Sequence, residues 1–99
     1  MVLVIGTAVA RPDRLDELLA LSLEHVVRSR AEPGCLEHGV YQDAENPRRL
    51  VFVERWADRA ALLAHFAVPE SGAFVRAATA LCAETPTIHA YEATEISLR

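Results

Sequence analysis

The chain has no lysine. Its 10 basic residues are all arginine, they are scattered from Arg11 to Arg99, and 14 acids outnumber them, for a net charge of -4. A surface for nucleic acid or anionic lipid needs clustered cations, so neither partner is expected. Cysteine is scarce: Cys35 and Cys82 lie far apart with no CxxC. Two reduced thiols in a cytoplasmic protein is the simplest reading. No apolar run approaches the roughly 20 residues of a membrane helix, and Met1–Ala10, without a basic start, reads as a strand rather than a signal peptide. GxGxxG, P-loop and GxSxG patterns are all missing, which leaves no support for a nucleotide cofactor or a nucleophile elbow. The histidines at 25, 38, 65 and 89 show no HxH or HxxxH spacing, and by that criterion no metal site is expected.

What the chain has is apolar surface. Hydrophobic residues make up 52% of 99 residues, the size of one domain spanning 1–99. Such a chain buries roughly 65% of its unfolded surface. The apolar excess points to a second burial event, most simply self-association.

The β-branched run Val2–Ala10 predicts a strand buried on both faces. Pro12 suits a first helical position, with Asp13, Asp16 and Glu17 in the positive first turn. Leu15, Leu18, Leu19, Ser22, Leu23, Val26 and Val27 form the helical stripe. "EPG" at 32–34 stops the helix. Cys35–Asp43 and Leu50–Trp56 read as a hairpin around the turn "ENPRR". In that hairpin Leu36, His38 and Val40 share one side of the first strand. Leu50, Phe52, Glu54 and Trp56 share one face of the second. Asp58 caps a helix whose stripe is Leu62, His65 and Phe66. "VPES" breaks that helix, and Ser71 caps another with Phe74, Ala77, Ala78 and Leu81 inward. Pro86 precedes a last strand, Thr87–Thr94. The order βαββαβ predicts a ferredoxin-like α+β fold, a four-stranded antiparallel sheet with helices on one face. The other sheet face is left apolar and open.

One segment, "VERWADRAALLAH" at 53–65, carries an acid, an indole and an imidazole across a strand-to-helix corner. Side chains there reach the rim between sheet and helices, where pockets form. A carboxylate beside an imidazole makes a general base, and an indole offers a wall for an aromatic ring. The alternative is an ordinary corner: Trp56 in the core, Glu54 paired with an arginine, and His65 a satisfied histidine.

The stretch "EPGCLEHGVYQDAENPRRLVFVERWADRAALLAH" resembles the antibiotic biosynthesis monooxygenase family. The matching features are "EPGCL", the acidic "NP" turn, "ERW", and "AL" followed by "AH". The resemblance implies a homodimer whose sheets pack face to face as an α/β barrel, with a pocket in each subunit. It implies oxidation of quinols or polycyclic phenols by O2 without metal or flavin. Other relatives cleave haem or act on small phosphorylated sugars or ketones. Haem-cleaving members carry an Asn on the first strand and a His after the broken helix, where this chain has Gly6-Thr7 and Phe74-Val75-Arg76. At 38 many relatives carry an aromatic, and this chain has His38.

The resulting expectation is a cofactor-independent monooxygenase acting on a small quinol or polyphenol. His65 accepts the phenolic proton, with Glu54 orienting it. Trp56 and Phe52 stack on the ring, His38 lines the pocket, and Arg76 holds the developing anion. A non-catalytic ligand-binding dimer and an isomerase on a small carbonyl compound are the alternatives.

Overall fold

Period-two alternation sets the sheet, and the computed structural model, which describes residues 1–99, shows which face the helices take. The elements run β1 (Val2–Val9), α1 (Leu15–Ser29), β2 (Cys35–Gln42), β3 (Arg49–Trp56), α2 (Arg59–Ala67), α3 (Pro69–Ala80) and β4 (Thr87–Glu92). The strands form one antiparallel sheet in the order β2-β3-β1-β4. This is the expected ferredoxin-like α+β fold, with the second helix broken in two.

The central strands are covered on one face only. Val2, Val4, Gly6 and Ala8 are buried under the helices, whereas Leu3, Ile5, Thr7 and Val9 are half-buried. Along β3, Leu50, Phe52, Glu54 and Trp56 point inward, and Val51, Val53 and Arg55 face out. A single copy therefore leaves the second face of β1 partly open, contrary to the two-sided burial its β-branched run predicted. β4 is exposed along its whole length.

Helix α1 begins at Leu15 rather than Pro12, which lies in the preceding turn together with Asp13. Its buried face is Leu18, Ser22, His25, Val26 and Ser29, while Leu23 and Val27 are exposed. The stripe is thus rotated from the leucine-rich one and is more polar. Ser29 satisfies its hydroxyl on the His25 carbonyl at 2.7 Å. In β2 a bulge between Cys35 and Glu37 breaks the parity, so Leu36 turns outward while His38 stays in. Asp58 caps α2 as expected, accepting from the Ala61 amide at 2.8 Å. Pro69 then starts α3, because its fixed φ and missing N–H suit a first turn. Ser71, expected as the cap, is consequently inside the helix and buried, and Ala77 faces solvent.

The α1–β2 turn depends on Gly34, whose φ is +80° and whose added Cβ would lie 2.6 Å from the Ala61 Cβ. Gly72, in α3, would meet only the end of the Arg76 side chain at 3.4 Å. Thermal unfolding should separate the two: Gly34→Ala should lose more than ~1 kcal/mol, and Gly72→Ala should gain ~0.4–1 kcal/mol. Equal effects would show that neither backbone argument holds.

Candidate functional site

The inner face of β3 places an acid where only apolar groups usually sit. Glu54 is buried, and its Oε1 accepts from the Trp56 indole Nε1–H at 2.9 Å. The same oxygen lies 3.2 Å from Nε2 of His38, which reaches it across the β2–β3 pair. Burial alone would raise the Glu54 pKa. The close approach and charge of His38, together with the indole N–H, outweigh it, so the carboxylate is held below its usual range.

Trp56 is fully buried, and its ring lies 4.6 Å from that of His65, tilted by 35°. His65, on α2, directs Nδ1 to Oε1 of Glu32 at 2.8 Å. An ionised carboxylate can only accept, so Nδ1 donates, and Nε2 is the ring nitrogen left to act as a base when the ring is neutral. The partner that orients His65 is therefore Glu32 and not Glu54, as the strand-helix corner predicted. Glu54 belongs to His38.

Two members of this group were missed from the sequence. His25 lies on α1 at i+7 from Leu18 and i+3 from Ser22, on the helical stripe that faces inward, and that spacing was the available signal. Glu32 gave none, since it meets a residue 33 positions away. His25 stacks on Phe74 of α3, with centroids 4.0 Å apart and planes 4° from parallel. The rings of His25, His38 and His65 stand 5.3–5.6 Å apart, with ligand-capable atoms within 4.8 Å of one another. The spacing argument against a metal does not describe this cluster, because three separate elements supply the imidazoles.

Arg28 NH2 lies 2.7 Å from Nδ1 of His25. Burial lowers the His25 pKa to about 3, helped by its histidine neighbours and by Arg28 and opposed by Glu54. That ring stays neutral.

A cavity of about 570 Å³ opens between α3 and the β1–β4 side of the sheet. His65, His25, Glu54, Phe52, Phe74 and Arg76 line it, with Ser71 beside them. Ser71 Oγ is buried without a hydrogen-bond partner. Gly6 forms part of the wall, and a Cβ there would meet the Thr87 carbonyl at 3.4 Å. Of the expected site residues, Glu54, His65, Phe52 and Arg76 reach this cavity. Trp56 and His38 do not. Trp56 is a core residue behind His65 rather than a substrate wall, because its indole is sealed by the bond to Glu54. His38 stands behind Glu54, with its side chain fully enclosed.

The profile of the family described as antibiotic biosynthesis monooxygenase matches residues 1–77. The chain belongs to the antibiotic biosynthesis monooxygenase family. A crystal structure of an antibiotic biosynthesis monooxygenase is similar at 33% identity and a TM-score of 0.88, covering 96% of this chain and 100% of that one. A Deinococcus radiodurans protein described as a candidate antibiotic biosynthesis monooxygenase is 30% identical with a TM-score of 0.93, covering 98% of this chain and 96% of that one. An uncharacterised Synechocystis protein is 35% identical over 94 residues, 95% of this chain. The chain spans 64% of that relative's length. Gly6, Thr7, Phe74, Val75 and Arg76 all line the cavity.

The buried His25 makes stability depend on pH. Its folded pKa of about 3 lies below the 6.5 of a free imidazole. Between those values the unfolded chain takes up a proton that the folded chain refuses, so stability falls on acidification. The groups facing His25 are His38, His65, Arg28 and Glu54. Down to about pH 5 the carboxylates scarcely titrate. In that range the melting temperature of His25→Asn should fall less steeply with acid than that of the parent. Parallel slopes would mean that His25 is not the neutral buried group.

Proposed function

We propose that this chain is a cofactor-independent monooxygenase that oxidises a small quinol or polyphenol with O2, working in the cytoplasm as a homodimer of one-domain subunits spanning residues 1–99. The observation that carries the reading is the Glu32–His65 pair at the cavity wall, whose remaining lone pair on Nε2 is a base for a phenolic proton.

O2 reacts slowly with closed-shell molecules, but a phenolate can pass it one electron. One oxygen atom then forms a new carbon–oxygen bond and the other leaves as water. Every reducing electron comes from the substrate, so a hydroquinone becomes a hydroxyquinone with no external reductant. The protein has to bind the ring, favour its anion and exclude water.

Phe52 and Phe74 offer the aromatic wall, and their rings meet edge to face at 6.1 Å. The unpartnered Ser71 hydroxyl suits a substrate oxygen, since a buried hydroxyl without a partner is costly. Arg76 at the rim suits a developing anion. Trp56 acts from behind: Glu54, at the cavity, fixes the indole, and the indole backs the His65 ring.

Two features support the dimer and the compartment. Leu3, Ile5, Val51 and Val53 leave a half-buried apolar face opposite the helices, and a facing copy would cover it with an interface on the order of 2,000 Å². Cys35 and Cys82 are free thiols, which suits a reducing compartment. No helix is long and apolar enough to cross a membrane.

Oxygen uptake with a hydroquinone, measured alongside sedimentation, tests the reading. His65→Ala should lower turnover by roughly 10²–10⁴, with the dimer intact. Unchanged turnover per folded chain would reduce His65 to a core histidine.

A further inference from the structure

We infer that His25, His38 and His65 together form a binding site for a divalent transition-metal cation of the zinc and cobalt class. The inference goes beyond the proposed oxidation and does not require it.

The three imidazoles come from α1, β2 and α2 and converge with ligand atoms within 4.8 Å of one another, all buried. Zinc–nitrogen bonds of about 2.0–2.1 Å require each ring to move inward by under about 1 Å, within the reach of side-chain torsions. Imidazole is a ligand of choice for such cations.

His38 supplies the second, independent observation. Its side chain is fully enclosed, and neither ring nitrogen makes an aligned hydrogen bond. Nε2 lies close to Glu54 at 3.2 Å but off line, and Nδ1 has nothing. A buried imidazole left in that state is costly, and a cation on its lone pair would remove the cost.

The surroundings match a metal's outer shell. Metal-bound histidines characteristically give their other nitrogen to a carboxylate, as His65 gives Nδ1 to Glu32 and His38 directs Nε2 at Glu54. Those carboxylates balance a double positive charge. Two of the three ligands, His25 and His65, also line the cavity, and three protein ligands leave a fourth coordination position for water or a small ligand.

One group opposes it. Arg28 can only donate, so it holds Nδ1 of His25 as an acceptor and places the ring proton on Nε2. Ligation through Nε2 needs the other tautomer, with the Arg28 bond released. Arg28→Gln removes the charge and supplies an oxygen that can accept from Nδ1–H.

The test is Co²⁺ titration of the full chain after chelator treatment, read by the visible ligand-field bands of four-coordinate cobalt and by their displacement with Zn²⁺. One cobalt per chain should bind. His38→Ala should weaken binding by at least about 10-fold, as should His25→Ala. Arg28→Gln should tighten it by about 10-fold, a gain that a folding defect cannot produce. His89→Ala, at an exposed strand position, should change nothing. Absence of the bands, or equal affinity in the His25, His38 and Arg28 variants, would overturn the inference. Hydroquinone oxidation measured with and without Zn²⁺ separates the two proposals. Because the cation occupies Nε2 of His65, it should slow turnover. Faster turnover with metal would keep the site and remove the cofactor-free reading.

Discussion

A buried carboxylate is the constraint on which the interior depends. Glu54 sits on a strand face otherwise occupied by Leu50, Phe52 and Trp56. An ionised carboxylate there is tolerable only if donors reach it. The Trp56 indole N–H donates to it, and the His38 ring stands 3.2 Å from the same oxygen. That arrangement fixes the indole plane, and the plane backs the His65 ring. His65 in turn needs Glu32 on its Nδ1, which ties α2 to the turn between α1 and β2. Losing Glu54 would leave a buried indole N–H without an acceptor, an error that spreads to three elements.

The polar cluster also explains why the helical layer is unevenly packed. The apolar core divides into one group around Leu18, Leu50 and Phe52 and another around Val4, Trp56 and Leu62. Between α3 and the β4 edge no large side chain fills the space: Gly6 and Ala8 are the buried residues of β1 there. Small residues on a strand facing a helix leave a void, and the aromatic rings of Phe52 and Phe74 at its edge make it a pocket rather than a packing fault.

The fold was legible because β3 carries its period and most breaks carry a proline or glycine. Gly34, Asp58 and the Leu50–Trp56 alternation all held. Boundaries drifted where two signals competed. Pro12 favoured an early helix start that the chain does not take, and Pro69 took over the helix start assigned to Ser71. The bulge after Cys35 has no residue signature, so Leu36 was placed on the wrong side.

The site was legible only along the strand. Glu54, Phe52 and His65 could be placed by parity and helical spacing, and Arg76 by resemblance. The pairing of acids with histidines could not, because Glu54 has two imidazoles within reach and Glu32 joins His65 only through the tertiary fold. Spacing rules for metal ligands could not register the His25, His38 and His65 cluster for the same reason, since its imidazoles come from three elements.

The central claim is that Glu32 acts through His65. A double-mutant cycle of Glu32→Gln and His65→Ala on hydroquinone-dependent oxygen uptake tests it most directly. Glu32→Gln alone should lower kcat while leaving KM nearly unchanged, and the double variant should be no slower than His65→Ala. Additive losses, or a Glu32→Gln enzyme as fast as the parent, would contradict the account.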